Sequence, residues 1–440
     1  MFSQIRTLKE VVEWGLCTGC GACHYNCDKG VVELVNIQDL GIRPNFTGEG
    51  CAGCTRCISI CPGIQINGEE MTGPSSSGES SPDLGVVLEV WEGHASDAET
   101  RFRGSSGGVL SALALYCVER EGMTSVVHSG KSEELPWGNV TRVSVNRDEI
   151  LSNTGSRYAP SSPCEQLVDI ERSDGPCVFI GKPCDTAAVG MLRAQCADLD
   201  RKLGLVLTFF CAGTPSTKGT LDLIEALGAD RNRVQSVRYR GEGWPGDFRV
   251  LQSGDPAEKS LTYSESWDRL TGYRPLRCNL CPDGLGRVSD ISCGDAWHKF
   301  GNPGDPGRSL VLVRTKRGQE ILRRAIAANY VELTPVGAEA VLAAQPSLLN
   351  RRRELFGRLL ALKLLGIPTP RFLNFGLARS WFRLSTLRQV LTVTGTLRRA
   401  VSKGWWRRRP PSFAVALAGL KEQAAASLQG GLGLNQSSSR

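Results

Sequence analysis

Two cysteine runs near the start of the chain constrain its fold more than any other feature. Residues 17–27 read CTGCGACHYNC and residues 51–61 read CAGCTRCISIC, so both runs have the spacing Cys-x2-Cys-x2-Cys-x3-Cys. This doubled spacing is that of a two-cluster ferredoxin, in which the fourth cysteine of each run binds the cluster of the other run. It predicts one 4Fe–4S cluster on Cys17, Cys20, Cys23 and Cys61, and a second one on Cys51, Cys54, Cys57 and Cys27.

Zinc ligation and disulfide pairing fit these runs less well than iron–sulfur clusters do. Tetrahedral zinc takes four ligands, usually as separated pairs, and not three cysteines at two-residue gaps plus a fourth. A disulfide framework is typical of short secreted chains, whereas this chain has 440 residues and an odd number of cysteines, 17. Asp28 follows the first run where Pro62 follows the second, so we expect the polarity around the two clusters to differ.

The length predicts two or three domains. We expect a ferredoxin-type domain at residues 1–71 and a Ser/Gly/Pro-rich linker at 72–85. Strands that alternate with helices predict a core domain at 86–345, so the fold class is α+β or mixed α/β. A basic amphipathic helical extension at 346–423 and a disordered Gly/Ser/Gln-rich tail at 424–440 should follow.

The expected location of the protein follows from the targeting signals that its sequence does not show. The N-terminus, MFSQIRTLKEVVEW, has neither an apolar segment nor a cleavage site of the secretory kind. No apolar stretch approaches the roughly 18 residues that a membrane-spanning helix needs. We therefore expect a cytoplasmic protein.

Four further cysteines stand in loops of the predicted core. Cys184 follows the predicted strand PCVFIG, Cys211 follows GLVLTFF, and the loop sequence CNLC contains Cys278 and Cys281. Because loops after the strands of an α/β sheet converge on one crevice, the four thiols could meet at one metal. The residues alone leave another interpretation open, in which Cys184 and Cys211 are small buried residues and CNLC binds zinc or nothing.

Several motifs between residues 84 and 335 occur in the order seen in a known family. They are GSSGGVLSALALY, TGSRYAPS, FIGKPCD, FFCAGTPS and CNLCPDGLGRVSDISCGDAW, followed by SLVLVRTKRG. With them the chain resembles the beta subunit family of coenzyme F420 hydrogenases and dehydrogenases. The resemblance implies a flavoprotein that passes electrons between iron–sulfur clusters and a hydride carrier or substrate. It also implies a third 4Fe–4S cluster on Cys184, Cys211, Cys278 and Cys281.

A Gly/Ser turn at residues 104–108 opens a predicted buried helix. Backbone N–H groups at such a helix start can bind a pyrophosphate, although the same turn is also an ordinary helix cap. The resemblance favours FAD here and adds the segment TGSRY and the lysine before Cys184. The candidate FAD-binding residues are Gly104, Ser105, Ser106, Gly107, Gly108, Thr154, Gly155, Ser156, Arg157, Tyr158 and Lys182.

One of the four histidines is a candidate proton donor. His298 lies in GDAWHKF, close to the last family motif. The intrinsic pKa of imidazole suits proton transfer near neutral pH. The alternative is a histidine whose hydrogen bonds are satisfied in the core or at the surface.

The basic character of the chain belongs to one region. Residues 351–410 contain fifteen Lys and Arg against a single acid, Glu354, so they carry +14, whereas the whole chain carries +7. Cations alternate there with Leu, Phe and Trp at helical spacing, which is typical of a helix on an anionic membrane surface, such as the inner membrane face. A helical extension docked on the core or on a partner fits equally well. Nucleic acid fits less well, because no nucleic-acid motif is present.

These observations predict a flavin-dependent iron–sulfur oxidoreductase. Its electrons would be exchanged with a redox partner, such as a ferredoxin or a subunit of a hydrogenase or dehydrogenase. The hydride acceptor would be coenzyme F420 or a small organic substrate. The alternative is a non-catalytic electron-transfer subunit of a larger complex, whose mark would be iron–sulfur clusters without a flavin.

Overall fold

The computed structural model describes residues 5–48, 51, 54–69, 79–299 and 305–413. The tail predicted at 424–440 lies outside these ranges, as do residues 72–78 of the predicted linker and 414–423 of the extension. The strands are β1 Val32–Ile37, β2 Gly41–Phe46, β3 Gln65–Asn67, β4 Glu79–Ser81, β5 Gly85–Val87, β6 Glu89–Ala95, β7 Val126–Lys131, β8 Asn139–Ser144, β9 Cys177–Gly181, β10 Leu203–Phe209, β11 Val234–Arg238, β12 Phe248–Gln252, β13 Lys259–Leu261, β14 Ile291–Asp295, β15 Ser309–Val313, β16 Val331–Pro335 and β17 Arg371–Leu373.

Helices cover the sheets and form most of the C-terminal extension. They are α1 Leu8–Glu13, α2 Ala22–Tyr25, α3 Arg56–Ser59, α4 Ala98–Arg103, α5 Val109–Glu119, α6 Arg147–Ser152, α7 Leu167–Glu171, α8 Pro183–Arg193, α9 Ala197–Lys202, α10 Thr217–Ala226, α11 Tyr263–Leu270, α12 Leu276–Asn279, α13 Lys316–Ala327, α14 Ala338–Ala344, α15 Pro346–Arg353, α16 Leu355–Leu364, α17 Leu377–Phe382 and α18 Thr386–Ser402. None of these helices combines the length and the apolar character needed to cross a bilayer.

An eight-stranded sheet with the order β16-β6-β15-β14-β10-β9-β7-β8 forms the centre of the molecule. The neighbours β14, β10, β9 and β7 run parallel, and antiparallel strands flank them on both sides. The central parallel strands β9 and β10 are largely apolar because helices cover both of their faces. Their carboxyl ends open at one edge. The mixed α/β fold predicted from the sequence is confirmed.

Alternation along the central strand β10 divides the core into two layers. Leu205 and Leu207 pack with α5 and α13 residues on one face, including Leu113. Val206 packs with Leu192 of α8 on the other face. Because side chains of a strand alternate between its two faces, the apolar run LGLVLTF supplies both layers. The helices α5 and α8 thereby hold the loops that precede them against the sheet edge.

The N-terminal module and the C-terminal extension pack against each other and against the core. The antiparallel pair β1 and β2 belongs to this module, and β3 pairs in parallel with β17 of the extension. Val11 and Leu16 share one apolar cluster with Leu280 of the core and with Leu355 and Leu362 of the extension. The three regions are therefore joined by one buried cluster.

Two local features differ from the sequence prediction. The apolar segment GVVLEVWEG predicts one strand from its sequence, but it is divided at Leu88 into β5, which pairs with β4, and β6, which joins the large sheet. The strand β14 was not predicted, because its sequence ISCGD lacks a continuous apolar run. It is nevertheless buried between β10 and β15.

Arg314 is fully buried where β15 ends. Its guanidinium donates to the carbonyl oxygens of Leu84 and Val86 at 3.0 Å and to that of Leu285 at 2.8 Å. Burial lowers the pKa of Arg314 to about 10. This side chain therefore satisfies three buried carbonyl groups, those of Leu84 and Val86 at strand β5 and that of Leu285.

We expect Arg314→Met to lower the free energy of unfolding by about 2–4 kcal/mol, because buried carbonyl groups lose their donor. Urea unfolding followed by circular dichroism measures this change. The matched control is Arg201→Met, since Arg201 is exposed and pairs with Asp198, and we expect a change below about 0.5 kcal/mol there. Equal unfolding midpoints for the two variants would contradict the role given to Arg314.

Candidate functional site

The first cysteine group consists of Cys17, Cys20, Cys23 and Cys61. All four line one small, mostly apolar pocket. Burial raises the pKa of the Cys23 thiol, and the neighbouring thiols of this group raise it further. Gly21, with φ +86°, starts α2 between two of these cysteines, and a Cβ there would lie 2.9 Å from the carbonyl oxygen of Ser162. The turn thus requires glycine.

The second cysteine group consists of Cys27, Cys51, Cys54 and Cys57. Burial raises the pKa of the Cys57 thiol to about 12, and the other three thiols of the group add to this shift. Cys51 and Cys54 are exposed. Each run therefore contributes its fourth cysteine to the group of the other run, and the second group lies at the protein surface.

The core cysteine pocket contains Cys184, Cys211, Cys278 and Cys281, and Cys17 of the first group also lines it. Cys184 is the second residue of α8, directly after β9, and Cys211 lies two residues after β10. The pKa of the Cys211 thiol is raised to about 12. Burial is the largest cause, and the charges of Cys278 and Cys281 raise this pKa further. The parallel order of β9 and β10 is what brings the first two of these cysteines together.

The cysteine groups suit a metal cluster better than a single metal ion. Within the described ranges, no three His, Cys, Asp or Glu side chains lie close enough to hold a single metal ion. A 4Fe–4S cubane separates its ligand sulfurs more widely than one ion does, and it takes four thiolates. Each of the three groups offers four cysteines, which fits that cluster in number and chemistry.

Positive charge surrounds the core cysteine pocket. Arg43, Arg277 and Arg351 line it. Arg351 donates to the carbonyl oxygen of Cys211 at 2.9 Å, and Arg277 donates to that of Pro62 at 2.9 Å. These arginines can offset the negative charge of thiolates, and Arg277 also ties the end of the second cysteine run to the core.

A larger cavity of about 240 Å³, which we name the cofactor cavity, lies beside this pocket. Most of the residues expected to bind FAD line it: Ser105, Ser106, Gly108, Thr154, Gly155, Ser156, Arg157, Tyr158 and Lys182. Gly104 and Gly107 are not among the lining residues. The Gly107 N–H donates to Ser309 Oγ at 3.0 Å, so Gly107 holds the turn against β15.

Hydrogen bonds join the two predicted segments into one wall of the cofactor cavity. The Ser156 N–H donates to Ser105 Oγ at 2.7 Å, and the hydroxyls of Ser111 and Thr154 lie 2.8 Å apart. Gly108, at φ +74°, precedes α5 and offers no side chain to cap its first turn. Such a helix start, open to a cavity, can bind an anion through its N–H groups.

Arg157 lines the cofactor cavity, but its guanidinium is held by the protein. Its Nε donates to Asn139 Oδ1 at 2.5 Å, and its Nη2 donates to the Gly138 carbonyl oxygen at 3.0 Å. The guanidinium carbon also lies 5.6 Å from the centroid of the Tyr239 ring. The structure therefore gives Arg157 a bracing role at the wall, and its expected contact with phosphate stays a prediction.

Lys182 lies between the core cysteine pocket and the cofactor cavity and lines both. Its Nζ is 2.7 Å from Asp185 Oδ2 and donates to the Ser161 carbonyl oxygen at 3.0 Å. Burial alone would lower the pKa of Lys182, but the charge and hydrogen bond of Asp185, together with the charges of Cys184 and Cys211, outweigh it and raise that pKa. Asp185 Oδ1 is buried without a protein partner in the described part of the chain. An unpaired polar acceptor therefore lies in the residue that pairs with Lys182.

A polar and aromatic group that the sequence did not indicate forms another part of the cavity wall. Arg240 makes a two-pronged ion pair with Asp295, with nitrogen–oxygen distances of 2.9 and 2.6 Å. Its guanidinium carbon lies 4.9 Å from the ring centroid of Tyr263 and 5.3 Å from that of Trp297. These residues stand on separate elements, so no local spacing could have revealed them.

Two histidines differ in their relation to the cavity. His298 Nε2 lies 3.1 Å from Glu92 Oε2, and His298 is not among the residues that line the cofactor cavity. Its expected role as proton donor stays a prediction. His128, which the sequence did not indicate, lines the cavity with its Nε2 2.8 Å from Ser144 Oγ. Burial lowers the pKa of His128 to about 4, so its ring is neutral at pH 7.

Cys164 is a neighbour of the first cysteine group that no motif indicated. Its N–H donates to the Cys20 carbonyl oxygen at 3.1 Å. A hydrogen bond from its thiol is the main cause of the lowered pKa of Cys20. A donor beside a ligand sulfur is one means of tuning a cluster potential.

The chain is similar to proteins of one family. Two models of the coenzyme F420 hydrogenase/dehydrogenase beta subunit match it, the N-terminal model at residues 90–169 and the C-terminal model at residues 176–339. The coenzyme F420 hydrogenase subunit beta of Methanosarcina barkeri is 26% identical over 261 residues, which cover 58% of this chain and 84% of that protein. The protein of the same name from Methanothermobacter thermautotrophicus is 25% identical over 302 residues, covering 65% and 99%.

More distant similarity extends to another enzyme and to a solved structure. The coenzyme F420-dependent sulfite reductase of Methanocaldococcus jannaschii is 23% identical over 334 residues, covering 71% of this chain and 46% of that protein. A chain of the F420-reducing NiFe hydrogenase complex from Methanosarcina barkeri has a TM-score of 0.51 at 22% identity, covers 63% of this chain and 93% of that chain, and shows the fold. The two family models together match more than half of the sequence, and the chain belongs to the coenzyme F420 hydrogenase/dehydrogenase beta subunit family.

Proposed function

We propose that the chain is a flavin-dependent iron–sulfur oxidoreductase that exchanges single electrons with a partner protein and a hydride with an organic molecule. One observation carries the proposal, namely that its candidate sites share their walls. Cys17 lines both the pocket of the first cysteine group and the core cysteine pocket. Lys182 and Cys211 line both the core cysteine pocket and the cofactor cavity. The sites thus form one contiguous row.

The cysteines would hold three 4Fe–4S clusters. The second cysteine group, whose Cys51 and Cys54 are exposed, is the part of the row that a partner protein can approach. The first group is less exposed, with Cys20 buried and the other three half-buried, and it lies next to the core cysteine pocket. This order from surface to interior suits electron exchange between a partner and the cofactor cavity, because electron transfer weakens with distance.

FAD fits the cofactor cavity through the start of α5 and the segment at 154–158. Bound flavin supplies the exchange between one-electron and two-electron chemistry that a cluster and a hydride carrier need. The residues of this chain bind and orient it. The N–H groups at the start of α5 face the cavity, and Lys182 places a positive charge at the wall shared with the core cysteine pocket. The rings of Tyr263 and Trp297 exclude water from another side.

The family supports an oxidoreductase-related role and names the first candidates for its partners. Relatives are called coenzyme F420 hydrogenase subunits and a coenzyme F420-dependent sulfite reductase. We therefore propose coenzyme F420 as the first hydride carrier to test and a hydrogenase or dehydrogenase subunit as the first protein partner. A small organic substrate is the nearest variant, since the cavity lining does not distinguish the two.

We expect Cys184→Ser to reduce the iron content from about twelve to about eight atoms per chain, because one of three four-iron clusters is lost. Iron and sulfide are measured per chain after anaerobic purification. Cys196→Ser is the matched control, since Cys196 belongs to none of the three groups and its Sγ lies 3.9 Å from the Tyr25 hydroxyl. Full iron content in the Cys184 variant would show that the four core cysteines do not hold a cluster.

We expect the wild-type chain to contain about one flavin. The variant Ser111→Phe should lose this flavin but keep its iron, because the phenylalanine ring would fill the cavity that Ser111 lines. Flavin is measured by absorbance after release from the protein. Ser152→Phe is the control, since Ser152 is exposed on α6 and should keep both cofactors. A wild-type chain with about eight or twelve iron atoms but without flavin would favour the alternative, a non-catalytic electron-transfer subunit.

A further inference from the structure

Exposed apolar side chains are concentrated in the C-terminal extension. Fifteen large hydrophobic residues are exposed in the described part of the chain, and ten of them lie between residues 360 and 406. Isolated exposed apolar residues are normal on a protein surface, but a concentration of them marks an interaction site. The proposed redox function does not use any of these ten residues.

Helix α18 has its apolar side turned away from the protein. The residues it buries are Thr392, Thr396 and Ala400, which recur every four positions. Several of its apolar residues lie on the opposite side, where Leu387 is 69% exposed and Leu391 is 59% exposed, whereas Val393 and Leu397 are half-buried. A surface helix normally buries its apolar stripe and exposes its polar side. In α18 this order is reversed.

The buried side of α18 is already satisfied by the chain itself. The Thr392 hydroxyl donates to the Arg388 carbonyl oxygen and the Thr396 hydroxyl donates to that of Thr392, both at 2.7 Å. Ala400 belongs to the apolar cluster that contains Leu355 and Leu362 of α16. Docking on the core therefore accounts for one side of α18 and leaves the apolar side without a role in the fold.

The charge around this apolar side is mostly positive, although Glu354 pairs with Arg388 and Glu10 pairs with Arg408. Residues 355–413 contain twelve Lys and Arg and no Asp or Glu. Arg398 is exposed and lies within the apolar stripe by helical spacing. Trp406 is 47% exposed just after α18, and Arg407 lies 4.2 Å over its ring. Apolar side chains, cations and an interfacial tryptophan on one surface are the combination that binds anionic lipid.

We propose that this surface of the extension docks on an anionic lipid membrane. Its residues, named the lipid face, are Phe382, Leu387, Val390, Leu391, Arg398, Val401 and Trp406. The apolar side chains would enter the boundary between headgroups and acyl chains while the arginines contact lipid phosphates. A lipid surface is favoured over a second copy of the chain, because two surfaces with the same excess of positive charge repel each other.

The experiment uses the full chain with its cofactors and vesicles of phosphatidylcholine, with or without phosphatidylglycerol. We expect flotation with the anionic vesicles only, weakened by salt because the charges are exposed. The variant Leu387→Gln/Leu391→Gln/Val401→Gln should lower the partition coefficient by about tenfold or more, because three apolar side chains no longer enter the lipid. Circular dichroism and iron content verify that the variant is folded.

The matched control is Leu342→Gln. Leu342 is exposed on α14, outside the extension, so this variant should bind vesicles like the wild type. Equal binding of the triple variant and the wild type would overturn the proposal. So would the absence of binding to anionic vesicles. Concentration-dependent self-association that the triple variant loses, without any vesicle binding, would overturn it and assign this surface to a second copy of the chain.

Discussion

The parallel order of β9, β10 and β14 is the constraint on which the rest of the site depends. It places the residues after β9 and β10 at the same edge of the sheet as the end of β14. Cys184, Cys211 and Asp295 reach that edge from segments far apart in the sequence. The core cysteine pocket and one wall of the cofactor cavity are both consequences of this single strand arrangement.

The second requirement is that the N-terminal module stays fixed against that edge. Apolar side chains of the module, the core and the extension share one cluster, and Arg277, the residue before Cys278, adds a hydrogen bond from the core to Pro62. A module attached only by a linker would leave Cys17 at variable distances from the core cysteine pocket, whereas the observed packing holds it at the pocket wall.

Prediction from the sequence succeeded where the signal was local. The mixed α/β fold and the family resemblance are confirmed, because buried apolar runs mark β9 and β10 and because the motifs occur in the family order. The two N-terminal cysteine groups follow from spacing and the core group from the resemblance, and the structure brings the expected residues together, although their cofactors are still proposals. Non-local features were missed: Arg240, Asp295 and Tyr263 meet only once the sheet has formed.

The orientation of the helix in the C-terminal extension could not be predicted from the sequence either. Composition and helical spacing predicted an amphipathic helix, yet they left open whether its apolar side faces the protein or the solvent. The normal expectation is burial of the apolar side. Only the packing of Thr392, Thr396 and Ala400 against the rest of the chain decided the orientation.

The pairing of β17 with β3 has a consequence for how the protein can be divided. The Arg371 N–H donates to the Ile64 carbonyl oxygen, and the Gly68 N–H donates to that of Leu373, so the last part of the chain completes a sheet of the first part. Arg408 adds an ion pair with Glu10 at 2.9 Å. Recombinant expression of the family-matched region alone would therefore remove both the N-terminal module and the C-terminal extension, which pair with each other. Neither of these two regions forms a complete fold by itself.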